Sequence, residues 1–221
     1  MSESLPTSAN EQTLTQNAFD ALLTMIKVGT LPDGAVVNER RLAHELGLSR
    51  TPVREALGRL EGQNYIRRSG RTLLVNGVAL GEILEIMSVR KLLEADAARS
   101  AAGKMSGAKL AGIRSQLVSM KDRDQVSPDH HWEVDDLVHL GIAEAGGNKL
   151  LRRLIGELRT RTRMFGKERI PGRFEPGRAE HLAILDAIEA GDGEAAANAM
   201  AAHIEGARSA IIRSVTGDIS Q

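Results

Sequence analysis

Residues 49–57 read Ser-Arg-Thr-Pro-Val-Arg-Glu-Ala-Leu, and this stretch decides the fold of the first third of the chain. A helix is predicted from about Arg50 to Gln63, because apolar residues recur there at helical spacing. Those residues are Val53, Ala56, Leu57 and Leu60. Pro52 lies in the first turn, where its missing N–H costs no helical hydrogen bond. The helix therefore has an apolar back and a polar leading end, as a DNA recognition helix requires.

The segments on either side of this helix complete a small domain. Apolar spacing predicts two helices before it, and Gly47 ends the second of them. After it, two short apolar runs flank a glycine-containing turn, a pattern typical of a β-hairpin. The predicted elements are helices at about 11–28 and 39–46, and a hairpin that includes residues 65–66 and 73–75. Three helices followed by a hairpin predict a winged helix-turn-helix.

Positive charge is concentrated in this domain. The whole chain is formally neutral, with 29 basic and 29 acidic residues, but residues 38–71 contain eight arginines and four glutamates. A neutral chain with one cationic patch suits a protein that touches phosphate with a single face. The alternative is that these arginines form only a solvated surface. From their positions on the second helix, at the leading end of the third and at the wing, we expect DNA contacts from Arg40, Ser49, Arg50, Thr51, Arg54 and Arg71.

Two motifs resemble the GntR family of regulators: Asn-Glu-Arg-Arg-Leu-Ala at 38–43, and the stretch from Leu46 to Leu57. The resemblance covers about residues 11–75 and implies that the partner is double-stranded operator DNA. The operator contacts that it implies are Arg40, Arg50, Thr51, Arg54 and the wing-tip Gly70. One departure is Gln63-Asn64-Tyr65, where the family usually has Gly-Leu followed by Val or Ile. Asparagine tolerates a left-handed backbone, so we expect the turn to survive.

The remainder of the chain is predicted to be helical throughout. The expected helices span about 81–103, 107–124, 129–145, 148–168, 176–190 and 193–215, and the longest loop lies between Gly166 and Gly177. The fold class is therefore mainly α, with a winged helix-turn-helix of three helices and a β-hairpin followed by an all-α helical-bundle sensor domain. The expected boundaries are a flexible tail at 1–10, the DNA-binding domain at 11–75, a linker at 76–80, the helical domain at 81–215 and a tail at 216–221.

Composition excludes several classes of function and location. Cysteine is absent, which removes disulfides, thiolate nucleophiles and sulfur-ligated metals. Aromatic residues make up 2% of the chain, too few for a stacking platform on single-stranded nucleic acid. No run approaches the roughly 20 apolar residues of a membrane span, and the polar N-terminus does not resemble a secretion signal. We therefore expect a cytoplasmic protein with no membrane partner.

Three histidines and one aspartate fall on apolar helix faces in the helical half. Asp135 and His139 are four residues apart and so share a face, while His181 and His203 belong to two further apolar stripes. A single buried histidine is more often structural than a ligand. Burying three imidazoles and a carboxylate without compensation costs several kcal/mol, and a shared divalent cation would offset that cost. These ligands suit zinc, our first expectation, or nickel, manganese, iron or cobalt.

The order of these residues resembles the FCD sensor domain of the FadR branch. The matching pattern is Asp-x3-His, then Glu180-His181, then His203-Ile204, and the resemblance covers about residues 81–215. It implies that the four metal ligands are Asp135, His139, His181 and His203. It also implies a small organic acid effector bound beside the metal. Val138 stands where the family usually has an aromatic residue, which predicts a pocket of altered size or shape.

Arg90 is the candidate for binding the effector carboxylate. It falls on an inward stripe with Ile83 and Met87, and the resembling family favours arginine at this place. The alternative is an ion pair with Glu94, one helical turn away. The remaining histidines are expected to be solvated: His44, His130 and His131.

The combined expectation is a transcription regulator, acting as a repressor and not as an enzyme. It would bind a pseudo-palindromic operator as a homodimer, with each winged helix reading one half-site. A small carboxylate beside the metal would control its affinity for DNA. Two alternatives stay open from the residues alone: a metal-dependent enzyme fused to a DNA-binding domain, and a regulator that senses the metal itself.

Overall fold

The computed structural model describes residues 8–120, 123–166, 170 and 172–216, and the chain divides into two compact units between Gly77 and Val78. The first unit contains α1 (Ser8–Val28), α2 (Glu39–Glu45), α3 (Arg50–Gly62), β1 (Ile66–Ser69) and β2 (Thr72–Val75). The two strands pair antiparallel, with Ile66 opposite Val75 and Ser69 opposite Thr72. Three helices and a hairpin form a winged helix-turn-helix, as predicted. Helix α1 begins at Ser8, so residues 8–10 are helical and do not belong to the expected flexible tail.

The core of the first unit forms where the predicted stripe of α3 meets α1. Val53, Ala56 and Leu60 are fully buried, and Leu57 is 3% exposed. After α3 the chain turns at Asn64, whose φ of 61° lies in the left-handed region. The side-chain amide of Asn76 donates to the backbone and side-chain oxygens of Asn64, at 3.1 and 3.0 Å. Asn64 therefore forms this turn in the left-handed conformation that asparagine was expected to tolerate.

The second unit contains only helices among its described residues. They are α4 (Leu80–Ala101), α5 (Gly107–Ser119), a short 3₁₀ turn (Arg123–Gln125), α6 (Pro128–Ala145), α7 (Lys149–Phe165), α8 (Phe174–Glu189) and α9 (Gly193–Thr216). Helix α4 packs against α6, α7, α8 and α9, and α5 packs on α6 and α8. The fold class is thus mainly α, with the all-helical second half that the sequence predicts. None of the described helices is long and apolar enough to cross a membrane.

Two segments of the helical unit differ from the prediction. The helix predicted over 107–124 ends at Ser119, because Met120 leaves the helical conformation and places its side chain, 3% exposed, in the core. The predicted loop between Gly166 and Gly177 is shorter, because α8 begins at Phe174. Phe174 is 6% exposed, so burial of its ring fixes the first turn of that helix. Part of this loop, at 167–169 and 171, and the C-terminal tail from residue 217 lie outside the described residues.

Candidate functional site

The candidate DNA-binding residues all lie on the surface of the first unit. The structure gives exposed positions to Arg40, Ser49, Arg50, Thr51, Arg54, Gly70 and Arg71. Ser49 is the N-cap residue of α3, and Arg50, Thr51 and Arg54 project from the first turns of that helix. Gly70 turns between the strands with a φ of 60°. This is the arrangement in which a winged helix presents its recognition helix and wing to a duplex.

Glu39, at the start of α2, holds two of these arginines. Its carboxylate accepts hydrogen bonds from Nε of Arg50 at 2.7 Å and from Nε and Nη2 of Arg54 at 3.0 Å. The bond from Arg54, with Arg50 adding to it, lowers the pKa of Glu39, although partial burial opposes this. Glu39 thus orients both guanidinium groups before any contact with DNA. The wing has a similar contact, where Arg68 donates to Glu61 at 3.2 and 3.1 Å.

The four candidate metal ligands converge in the helical unit. Asp135 and His139 come from α6, His181 from α8 and His203 from α9, and one ligand atom of each lies within 4.8 Å of the others. Nε2 of His139 and Nε2 of His181 are 3.1 Å apart. Oδ1 of Asp135 lies 3.4 Å from Nε2 of His181. The linear spacing predicted which faces these residues share, and the packing of three helices brings them to one point.

Carboxylates outside this cluster orient two of the imidazoles. Oε2 of Glu94, on α4, binds Nδ1 of His139. Oε2 of Glu180 lies 2.8 Å from Nδ1 of His203. When Nδ1–H donates to a carboxylate, Nε2 keeps its lone pair and faces the opposite direction. Both histidines therefore present the ring nitrogen that a cation needs.

Burial keeps the central imidazoles neutral. Burial, together with the guanidinium of Arg159, lowers the pKa of His139 to about 4, although Glu94 and Asp135 oppose these effects. Burial also lowers the pKa of His181 well below its ordinary value, and nearby His203 adds to this. A neutral imidazole is the form that coordinates a metal, so the site needs little proton release at neutral pH.

Asp135 is ionised, and its two oxygens face Arg159 and the imidazoles respectively. Burial alone would raise the pKa of Asp135, but the adjacent guanidinium of Arg159 brings it well below its usual range. Nη2 of Arg159 donates to Oδ2 of Asp135 at 2.6 Å, and Nε of Arg159 donates to Oδ1 of Asp136 at 2.7 Å. The other oxygen of Asp135 is the one that lies closest to the imidazoles.

The donor set fits a divalent transition metal. Three imidazole nitrogens and one carboxylate oxygen match the ligands of zinc, nickel, cobalt, iron and manganese. The mutual spacing of 3.1 to 3.9 Å among His139, His181 and Asp135 is that of ligand atoms about 2.1 Å from one centre. These four residues therefore suit a divalent transition metal, and the selectivity of the site decides which metal binds.

A small cavity adjoins this cluster. It measures about 50 Å³, and its lining includes Asp135, His181, His203, Arg90 and Arg173. Each water-sized group needs on the order of 10–15 Å³, so the cavity accommodates a few such groups. Guanidinium groups and candidate ligands share this space, which can therefore hold a small anion against a cation.

Arg90 forms the ion pair that was the alternative to effector binding, and it also lines the cavity. It is 4% exposed, and its Nε donates to Oε1 of Glu94 at 2.6 Å, so the intrahelical pair forms in a buried setting. Its Nη1 donates to Oγ1 of Thr162 at 3.2 Å, and the side chain lines the cavity. Arg90 thus supports Glu94, which in turn orients His139.

One expectation about neighbouring residues was wrong. His131 is not fully solvated: it is partly buried, lines the cavity and lies next to Phe174, with ring centroids 5.6 Å apart. His44 is exposed, as expected, and His130 is partly exposed, with 44% of its side chain accessible. Val138 is fully buried in the main hydrophobic core, and its expected effect on the pocket stays a prediction.

Several residues around the site were not predicted as part of it. Arg159 and Arg173 carry no signal in linear spacing, because their partners lie on other helices. Arg173 donates from Nη1 to Oε1 of Glu180 at 3.0 Å and closes one side of the cavity. Glu180 directly precedes His181, which is the one local signal that could have identified it.

Comparison with known proteins gives a consistent result for both units. Residues 14–72 match the family model of bacterial regulatory proteins, gntR family, and residues 85–206 match that of the FCD domain. The chain is 30% identical over 203 residues to a Paenarthrobacter nicotinovorans protein named for transcriptional repression of a D-xylose utilization operon, covering 87% of this chain and 86% of that protein. It is 30% identical over 209 residues to the HTH-type transcriptional regulator LutR of Bacillus subtilis, covering 81% and 93%. The solved structure of E. coli McbR/YncC has the same fold, with a TM-score of 0.79, 24% identity and coverage of 91% and 98%.

Proposed function

The chain belongs to the GntR family of bacterial regulatory proteins and contains an FCD domain; it is a transcription regulator and not an enzyme. From this premise we propose that a small carboxylate, bound beside a divalent metal in the helical unit, controls its affinity for operator DNA. The observation that carries the proposal is the convergence of Asp135, His139, His181 and His203 beside a cavity lined by arginines.

The DNA-binding part of the proposal rests on the exposed arginines of the first unit. Arg50 and Arg54 leave α3 at its N-terminal end, which enters the major groove in winged helices. Their planar donors match guanine O6 and N7 or a phosphate. In this proposal Arg40 on α2 contacts the phosphate backbone, and Gly70 and Arg71 at the wing contact the neighbouring groove. The protein acts as a homodimer on a pseudo-palindromic operator, since each winged helix reads only one half-site.

The metal part of the proposal rests on the cost of the buried polar cluster. His139, His181 and His203 are all less than 7% exposed, and Glu94 beside them is 1% exposed. A bound divalent cation supplies a Lewis-acidic centre that attracts an anion. The protein's own contribution is to hold neutral imidazoles and an ionised aspartate in place, with zinc the leading candidate and nickel, manganese, iron or cobalt as alternatives.

The effector class follows from the size and charge of the cavity. A space of about 50 Å³ favours a short organic acid over a sugar. Arg90 and Arg173 add positive charge to the lining of the cavity, although each also binds a glutamate. An organic effector is favoured over metal sensing alone, because an arginine-lined cavity serves no purpose in binding the cation. The relative named for repression supports action as a repressor.

Thermal unfolding tests the metal and the effector together. We expect the melting temperature to rise on adding Zn²⁺ to chelated protein, and to rise again with a short hydroxy acid such as lactate. The uncharged amide of the same acid is the control and should give no second shift. The carboxylate shift should disappear in EDTA. The proposal is contradicted if the amide gives the same second shift as the acid, or if the acid gives that shift in chelated protein.

A further inference from the structure

Arg159, on α7, is a charged residue buried at the edge of the ligand cluster. It is 3% exposed, and its guanidinium spans two consecutive aspartates of α6. Nη2 donates to Oδ2 of Asp135 at 2.6 Å, and Nε donates to Oδ1 of Asp136 at 2.7 Å. Burying a guanidinium is costly unless its partners compensate. The two carboxylates supply that compensation, and they fix the plane of the group.

Because of this contact, the two oxygens of Asp135 face different partners. Oδ2 faces Arg159, whereas Oδ1 lies 3.4 Å from Nε2 of His181 and 3.9 Å from Nε2 of His139. While the guanidinium holds Oδ2, only Oδ1 faces the imidazoles, and coordination through both oxygens would require Asp135 to turn away from Arg159. The orientation of Asp135 is therefore set from outside the ligand cluster.

We propose that Arg159 is a positioning residue that restricts Asp135 to one coordinating oxygen and thereby sets the metal preference of the site. The inference rests on the metal site of the proposed function. With Asp135 restricted, the chain offers three imidazole nitrogens and a single oxygen. Imidazole-rich sites suit zinc, nickel and copper, whereas sites with more carboxylate oxygen suit manganese and magnesium. Arg159 thus biases the site toward zinc and against manganese.

Asp136 has a role in the same arrangement without being a ligand itself. It is partly exposed and binds only the outer edge of the guanidinium, through Nε and Nη2 of Arg159. This second carboxylate prevents the guanidinium from rotating about its bond to Asp135. Nη1 of Arg159 is buried and has no hydrogen-bond partner among the described residues. The guanidinium is thus held by its contacts with the two aspartates, even though one of its donors stays unsatisfied.

The test compares metal preference in three variants of the full chain. Arg159→Gln removes the charge and the double contact, and Asp136→Asn weakens the anchor while leaving both Asp135 and Arg159 in place. Arg163→Gln is the matched control, because Arg163 lies one turn further along α7 and pairs with Asp129 at 2.6 Å, outside the cluster. Affinities for Zn²⁺ and Mn²⁺ are measured by chelator competition, and the visible absorption of bound Co²⁺ reports the coordination number.

The expected results distinguish a residue that positions Asp135 from one that only stabilises the fold. In Arg159→Gln the ratio of zinc to manganese affinity should fall by about tenfold or more, and the Co²⁺ absorption should weaken as Asp135 binds through both oxygens. Asp136→Asn should change both readouts in the same direction by a smaller amount, and Arg163→Gln should change neither. Circular dichroism of the chelated variants shows whether each one folds. If Arg159→Gln does not fold, Asp136→Asn carries the test.

Two different failures can be told apart. If wild-type protein binds Co²⁺ and Zn²⁺ but the folded variants keep its Co²⁺ spectrum and its zinc-to-manganese ratio within about twofold, the role assigned to Arg159 is overturned and the metal site stands. If wild-type protein binds neither ion, the metal site of the proposed function is overturned, and the inference about Arg159 with it.

Discussion

The Nδ1 atom of His203, one of the four candidate metal ligands, lies 2.8 Å from Oε2 of Glu180. Glu180 also binds Arg173, so a single carboxylate links a candidate ligand to the wall of the cavity. Burial of Glu180 opposes ionisation, but His203 and Arg173 outweigh it and lower the pKa of this carboxyl. Glu180 therefore holds both neighbours in its ionised form.

Glu180→Gln is expected to weaken metal binding. The amide cannot hold Nδ1–H of His203 as strongly, so the imidazole becomes a poorer and less oriented ligand. Loss of such an outer partner typically costs about 10- to 100-fold in metal affinity, measurable by competition with a chelator. Glu175→Gln is the control, because Glu175 is an exposed residue of the same helix that pairs with Arg178. Equal affinities in both variants would show that Glu180 does not support the ligand.

Arg50→Ala is expected to weaken specific operator binding strongly while leaving the fold and the proposed dimer intact. A good bidentate contact is worth about 1–3 kcal/mol of discrimination between bases, so affinity for a DNA site selected from a random pool should fall by about 5- to 150-fold. Fluorescence anisotropy measures this loss. Wild-type affinity of the variant for the selected site contradicts the assignment of α3 as the recognition helix.

Glu39→Gln should reduce the specificity of DNA binding more than its strength. Without the carboxylate, Arg50 and Arg54 lose their shared orientation but keep their charge, so phosphate contacts persist. Affinity for the selected site should fall by about tenfold, whereas affinity for random DNA stays equal or rises. Glu45→Gln, near the other end of α2, is the control. A parallel loss of both affinities would indicate a merely structural effect.

Asn64→Ala is expected to destabilise the first unit. A left-handed backbone costs an ordinary side chain about 1–2 kcal/mol, and the variant also loses the bond from Asn76 to the side-chain oxygen. Asn64→Gly removes only the side-chain bond and relieves the backbone, so its loss should be smaller. Urea unfolding of both variants gives the comparison. Equal stability of the alanine and glycine variants would mean that the backbone conformation is not what asparagine provides here.

Gly206→Ala should impair the response to the effector without loss of stability. A Cβ at this position in α9 would lie 2.8 Å from Nη1 of Arg173, so the guanidinium has to move away from its place beside the cavity. Alanine favours the helix over glycine by about 1 kcal/mol, which opposes any destabilisation. The carboxylate-induced thermal shift should therefore shrink. Gly112→Ala, in open space on α5, should leave that shift unchanged.

Periodicity was sufficient to predict most of the helices and the inward positions of the four candidate metal ligands. The apolar stripes through Val53 and through Ile184 are fully buried, as their spacing indicates. The histidines could be assigned to inward faces for the same reason, since a helix of known phase determines which residues share a side. Asn148 caps α7, because its side chain accepts from the backbone N–H of Leu151 at 3.0 Å.

Contacts between helices could not be predicted in the same way. Arg159 reaches Asp135 from α7, and Glu94 reaches His139 from α4, across separations of 24 and 45 residues. Spacing within one helix carries no information about such pairs. The end of α5 at Ser119 was missed because burial of Met120, a tertiary effect, overrides the local helical pattern.

The most direct test of the account measures DNA affinity in four states of the wild-type protein: chelated, with Zn²⁺, with a short hydroxy acid, and with both. The account predicts that the acid changes the dissociation constant for a selected site only when the metal is present, by about 5- to 150-fold. His139→Ala should lose that response while still binding the same DNA. An undiminished response to the acid in EDTA, or in His139→Ala, would contradict the claim that the metal site controls the regulator.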